Sequence, residues 1–403
     1  MLHKKIDMVN LLSQHKKLEQ PILSAIQRVI DSSAFIKGEE VAIFEKKLAE
    51  FLQVDYLIAC ANGTDALQIA LMALDLKPGD EVIIPAFTYV ATVEVIALLG
   101  LQPVMVDVDE ETFNISLSGI ARAITSRTKA IIPVHLFGQC ADMEPLMKLA
   151  EAHNLWVIED NAQSLGADYI FRDYKSRKAT LSPASPTFQD FSAFRDLQSR
   201  NTAKAGTIGH IGCTSFFPTK NLGCMGDGGA IMTNLPALAE KIRMIANHGQ
   251  KKKYYHEVVG CNSRLDTLQA AILNVKLPHL DTYLEARKAA GAFYQMALKN
   301  FEFATLPASL PATPTTCNQF TLKIKDGLRD RLKEYLTGKG VPTMIYYPLP
   351  LYKQQAFSKY VPAGFSLPVT EKLCESVLSL PIHTEMTEEE LIYITDTIMD
   401  FRK

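Results

Sequence analysis

Four times between residues 56 and 135 a short apolar run ends and a helical segment begins, and a fifth run follows that ends in two acids. The runs cover 56–60, 81–85, 103–109, 130–135 and 156–160. Runs this short and this rich in Val and Ile read as strands buried on both faces. Parallel neighbours need a crossover, commonly a helix, so the alternation predicts a largely parallel sheet covered by helices. In open sheets of this kind ligands sit outside the carboxyl ends of the strands. The residues just after each run are therefore the first candidates for function.

Those positions carry chemistry. After the first run comes Asn62-Gly63-Thr64-Asp65, ahead of a helical stretch over 66–74. Strand, small-residue loop and helix together aim free backbone N–H groups at an anion such as phosphate. Gly63 permits close approach and Thr64 adds a hydroxyl, although Thr64 or Asp65 could equally be a plain helix cap. Tyr89 follows the second run, placed either for the core or for a flat ligand. The last run ends in Glu159 and Asp160, with Gln163 just beyond. Asp160 reads as a cap or as a partner for a basic nitrogen.

Further on, Thr214-Ser215-Phe216-Phe217-Pro218-Thr219-Lys220-Asn221-Leu222-Gly223 puts one lysine in a nearly apolar turn between two strand-like runs. Most lysines are solvated surface charges. Desolvation among aromatic and small residues favours the neutral amine, which can form a Schiff base with a carbonyl. Ser215 stands where a hydroxyl could hold a phosphate.

Composition closes off several classes. A formal net charge of −2 over 403 residues gives no broad attraction to nucleic acid or to an anionic membrane. Seven scattered cysteines without a Cys-x-x-Cys pair make a zinc or disulfide framework unexpected, and no metal site is predicted. No apolar stretch approaches the length of ~18 residues that a membrane span needs, and the N-terminus lacks a signal pattern. The cytoplasm is the expected location. A large domain over 1–273 and a smaller α+β domain over 274–403 are predicted, the second opening on a long helix. Residues 171–205 carry seven Lys or Arg against three Asp without clear periodicity. That segment reads as a surface loop or as a basic lid over a nucleotide diphosphate.

Four segments, Asn-Gly-Thr-Asp-Ala-Leu, Phe-Thr-Tyr-Val-Ala-Thr, Glu-Asp-Asn-Ala-Gln-Ser and Ser-Phe-Phe-Pro-Thr-Lys, occur in that order. Together they resemble the DegT-type nucleotide-sugar aminotransferases, which use pyridoxal 5′-phosphate (PLP). The resemblance implies an α/β chain of PLP fold type I, the aspartate-aminotransferase type, working as a homodimer with shared active sites. It implies that Lys220 carries PLP, Asp160 faces the ring nitrogen, Tyr89 stacks on the ring and Gln163 lies by the phenolic oxygen. Gly63, Thr64 and Ser215 would hold the phosphate. By the same likeness Asn262 would reach the phosphate in the partner subunit and Arg264 would face substrate. Read alone, Asn262 could cap a helix and Arg264 could pair with Asp266. Tyr346 and Tyr347 match a segment near substrate, where related chains tend to have histidine at the position of Tyr346. Runs around 60–69, 248–250 and 262–273 are similar to the UDP-2-acetamido-2-deoxy-3-oxo-glucuronate aminotransferases. L-Glutamate and a keto UDP-sugar are the expected substrates. A 4-keto-6-deoxy sugar enzyme and a non-catalytic sensing protein are the alternatives; a dehydratase of this scaffold would have histidine in place of Lys220.

Overall fold

The computed structural model describes residues 5–172, 190, 191, 194, 197, 201–308 and 310–402. All five predicted strands form: β1 (Tyr56–Cys60), β2 (Glu81–Pro85), β3 (Gln102–Val106), β4 (Thr128–Ile131) and β5 (Trp156–Asp160). A small pair follows, β6 (Asp168–Ile170) with β7 (Thr202–Lys204), then β8 (Ile211–Ser215) and β9 (Gly229–Thr233). The central sheet has seven strands in the order β1-β9-β8-β5-β4-β2-β3. Only β9 runs against its neighbours. The reason is local. The segment 216–228 joins β8 to β9 without a crossover helix, and a connection of that kind returns the chain antiparallel. Lys220 sits in this return.

Helices cover both faces. Gly63–Ala73, Ala91–Leu98 and Pro236–Ile245 pack one side, where Ile69, Val93 and Ile242 are fully buried. Met143–Ala152 packs the other through Leu146 and Met147. The first helix starts three residues earlier than expected, because Asn62 is the cap: its Oδ1 accepts from the Asp65 N–H at 2.8 Å. Neither Thr64 nor Asp65 has that role. The strand expected over 130–135 stops at Ile131, since Pro133 has no N–H to donate. Beyond it Val134 makes only a single bridge to Asp160.

The long helix Leu280–Ala297 leads into a three-stranded antiparallel sheet, with Ala304–Thr305, Phe320–Ile324 and Val377–Leu380 as strands. Helices Arg329–Gly338 and Glu388–Met399 complete its core through Leu332, Leu336 and Ile394. Ile6 from the N-terminal end joins the same core.

Of the segment 171–205, the stretches 173–189, 192–193, 195–196 and 198–200 lie outside the described residues, as does the basic lid or loop expected there. Its base is described. The β6–β7 pair closes it, and Phe171, Phe191, Phe194 and Leu197 are buried with Tyr169 and Met147.

Candidate active site

Sheet register brings the functional segments to one edge. Gly229 pairs with Cys60 on one side and Ser215 on the other, so the turn after β1 and the end of β8 face each other across a single glycine. A side chain there would lie 2.5 Å from the Asn62 carbonyl. One turn on, a methyl group on Gly63 would sit 2.7 Å from Ser215 Cβ. The two bare backbones leave a cradle at a helix start whose Gly63 and Thr64 N–H groups have no acceptor among the described residues. Positive helix end, free N–H groups and the Ser215 and Thr64 hydroxyls together fit a phosphate.

Asp160 ends β5 two residues short of Ser215 in register, paired with Cys213. It is 6% exposed. The Thr92 hydroxyl donates to its Oδ2 at 2.9 Å and the Ala162 N–H to its Oδ1 at 3.2 Å. Burial pushes this carboxyl above its ordinary value, against the pull of those two donors and of the nearby Lys220 ammonium. Lys220 is half-buried as a residue, yet its amine is desolvated. Burial lowers it from 10.5 to about 8; Asp160 opposes the shift and the Arg287 guanidinium adds to it. A fall of that size gives about 300 times more free amine at neutral pH than an ordinary lysine has.

The walls are aromatic and amide. Gln163 is oriented by the Phe137 N–H, which donates to its Oε1 at 2.8 Å, and its Nε2 donates to the Tyr347 hydroxyl at 3.1 Å. Burial pushes the Tyr347 phenol up. Tyr347 arrives from the C-terminal sheet, where Met344 bridges to Ser379, and its ring lies 5.9 Å from Phe87 and 6.4 Å from Tyr89. Tyr89 is 58% exposed, a flat face open next to Tyr347. Tyr346 is half-buried next to Tyr347, with ring centroids 6.1 Å apart. A planar pyridine with a basic nitrogen, a phenolic oxygen and a phosphate fits this donor set. The cradle suits the phosphate, the acid suits the ring nitrogen, and the lysine suits the aldehyde.

Two expected residues stand apart. Asn262 is exposed, its backbone bridged to Asn247. Arg264 lines a separate cavity of about 210 Å3 with Lys37 and Arg243, and no ion pair to Asp266 forms among the described residues. Arg243 is matched by Glu45 at 3.1 Å, while Arg264 crowds Lys37 and, after burial, lowers its ammonium further. A roomier cavity of about 730 Å3 lies among Asp80, Thr128 and Trp156, where the strands begin. Its lining includes Ser126, Lys129 and His153, but it lies at the opposite end of the strands from Asp160.

Sequence reasoning missed Thr92, Arg287 and Glu159. Thr92 lies inside a segment read only for its tyrosine. Glu159 looks like Asp160's equal, yet faces away: its Oε1 accepts from Ile208 and Gly209 at 2.7 and 2.6 Å, and its Oε2 from Gly206 at 2.8 Å, with His135 Nε2 at 2.7 Å. His135, Cys140 and Glu159 come together, but this carboxylate is already saturated with donors.

The family model described as the DegT/DnrJ/EryC1/StrS aminotransferase family matches residues 16–399. A "Pleiotropic regulatory protein" of Geobacillus stearothermophilus is 41% identical, over 98% of each chain. The UDP-2-acetamido-2-deoxy-3-oxo-D-glucuronate aminotransferase of Pseudomonas aeruginosa is 43% identical over 94% of this chain and 95% of its own. A UDP-N-acetyl-3-dehydro-alpha-D-glucosamine 3-aminotransferase of Acidithiobacillus ferrooxidans is 40% identical over 98% and 97%. Among solved structures, DesV of S. venezuelae in complex with a ketimine intermediate superposes with TM-score 0.87 at 35% identity, over 98% of each chain. NtdA of Bacillus subtilis with bound cofactor PMP gives 0.81 at 30% identity, over 97% of this chain and 82% of that one. The expected fold type I is thereby borne out, and the chain belongs to the DegT/DnrJ/EryC1/StrS aminotransferase family.

Proposed function

We propose that this PLP-dependent aminotransferase moves an amino group from L-glutamate to C3 of UDP-2-acetamido-2-deoxy-3-oxo-glucuronate, supplying a 3-amino sugar for surface polysaccharide. The observation that carries the reading is the desolvated Lys220 amine beside the buried Asp160 at the strand ends. PLP, when bound, supplies an electron sink for the carbanion at the reacting carbon. Lys220 anchors it and then moves the proton at the substrate carbon, a task suited to an amine poised near 8. Asp160, held by Thr92, keeps a proton on the ring nitrogen. Tyr89 supports the ring face, and Gln163 lies by the phenolic oxygen. Gly63, Thr64 and Ser215 hold the phosphate.

Asn262 and Arg264 lie away from their own chain's lysine, which supports a homodimer whose sites are completed in trans. Arg264 then meets the carboxylates of glutamate and of the uronic acid in turn, a bidentate pairing suited to arginine. The relatives that act on UDP 3-keto sugars support the ring carbon and the nucleotide. Among the described residues no helix is long and apolar enough to cross a membrane, in keeping with a cytoplasmic enzyme. The relative named as a regulatory protein favours a second reading, a sensing protein on the same scaffold. Turnover decides between them. With L-glutamate, the UDP-3-keto uronic acid should be aminated at least ~10-fold faster than its non-acid counterpart or a dTDP-4-keto-6-deoxy sugar. Arg264→Ala should erase that preference. Equal rates for the acid and non-acid sugars would sink the uronic-acid assignment, and no turnover of any sugar would favour the sensing protein.

A further inference from the structure

Arg287, on the long helix Leu280–Ala297, is 3% exposed. A buried guanidinium normally meets a carboxylate. Among the described residues this one meets only carbonyls. Its Nη1 donates to Asn318 O at 3.3 Å and Ile382 O at 3.1 Å, and its Nη2 to Thr219 O at 3.4 Å. Its Nε has no partner, and among the described residues no acid pairs with it. Two of the three carbonyls belong to the C-terminal unit; the third is the residue before Lys220.

We propose that Arg287 is a positioning residue for Lys220, tying the Thr219–Lys220 peptide to the C-terminal unit and setting an unneutralised positive charge beside the amine. The inference rests on Lys220 being the reactive amine of the proposed function. Arg287's charge acts on Lys220 in the same direction as burial, while Asp160 from β5 opposes both. Around Arg287 itself the titratable neighbours are His383, whose imidazole burial lowers to about 4, and Cys317, whose thiol burial raises. His383 is therefore uncharged at neutral pH and leaves the guanidinium as the local cation. A carboxylate partner would cancel the guanidinium's effect, and three carbonyls leave it intact.

The test reads the amine without any cofactor. PLP-free full-length protein is labelled with limiting acetic anhydride across pH 6–11, and acetylation of Lys220 is followed by peptide mass spectrometry. The wild type should label with a midpoint near 8. Arg287→Gln keeps a donor for the Thr219 carbonyl but lacks the charge; its midpoint should rise, and labelling at neutral pH should fall roughly 3–10-fold. Arg287→Lys keeps the charge, and its midpoint should stay near the wild-type one. An unshifted midpoint in a folded Gln variant overturns the proposal. Should the Gln variant fail to fold, a Lys variant that labels like an ordinary lysine overturns it as well. A wild-type midpoint near 10.5 would instead undo the reading of Lys220 itself.

Discussion

The two carboxylates that end β5 differ by one residue in sequence and by one face of the sheet in space. Glu159 points to the side where the 206–209 turn and His135 satisfy every oxygen it has. Asp160 points to the side where, among the described residues, only Thr92 and one backbone N–H meet its carboxylate, and where the Lys220 ammonium acts on it. Strand alternation makes the difference. A saturated carboxylate is a structural clamp. An under-satisfied one beside a desolvated amine has capacity left over for a ligand, so the two acids should fail in different ways when changed.

The largest effect is expected from Asp160→Asn, which should lower the turnover number by about 10²–10⁴ with the melting temperature nearly unchanged. If thermal melting collapsed instead, the division of labour would be wrong. Glu159→Gln should do the reverse, costing about 2–3 kcal/mol of stability because an amide N–H₂ then faces backbone donors. Urea unfolding measures it; a variant as stable as wild type but inactive would contradict the clamp. Gly63→Ala should weaken PLP affinity roughly 10-fold or more, since the added methyl must push Ser215 aside. Titration of PLP into PLP-free protein reads this directly. The smallest change is Thr92→Val, which should cost about 3–10-fold in turnover by removing one of Asp160's two donors. No change would mean the Ala162 N–H suffices alone.

Much of this was legible in the chain. The five apolar runs are five of the seven strands of the central sheet, and the residues after strands β1, β2 and β5, with the Lys220 turn, are the ones its edge collects. What stayed hidden depends on distant partners. Arg287 sits in Glu-Ala-Arg-Lys-Ala-Ala, a stretch that reads as an exposed helix face, and only the fold shows three carbonyls closing around it. Glu159 cannot be told from Asp160 until the 206–209 turn is seen to come back over it. Asn62, Thr64 and Asp65 are equally good capping residues in the sequence, and the choice of Asn62 is made by where the strand stops.

Lys276 offers the sharpest internal control for the central claim. Its ammonium is also lowered by burial to about 8, yet it is 1% exposed and donates to the Gly223 carbonyl at 2.6 Å. Lys220 sits within the 216–228 return and Lys276 reaches the same return from the end of the helix Thr267–Lys276; of the two, Lys220 is the less buried. The decisive measurement is therefore borohydride reduction of the PLP-loaded protein, followed by peptide mass spectrometry of the fixed pyridoxyl group. The label should fall on Lys220 alone and vanish in Lys220→Ala. A label on Lys276 or on any other lysine, or none after PLP has been added, would contradict the account.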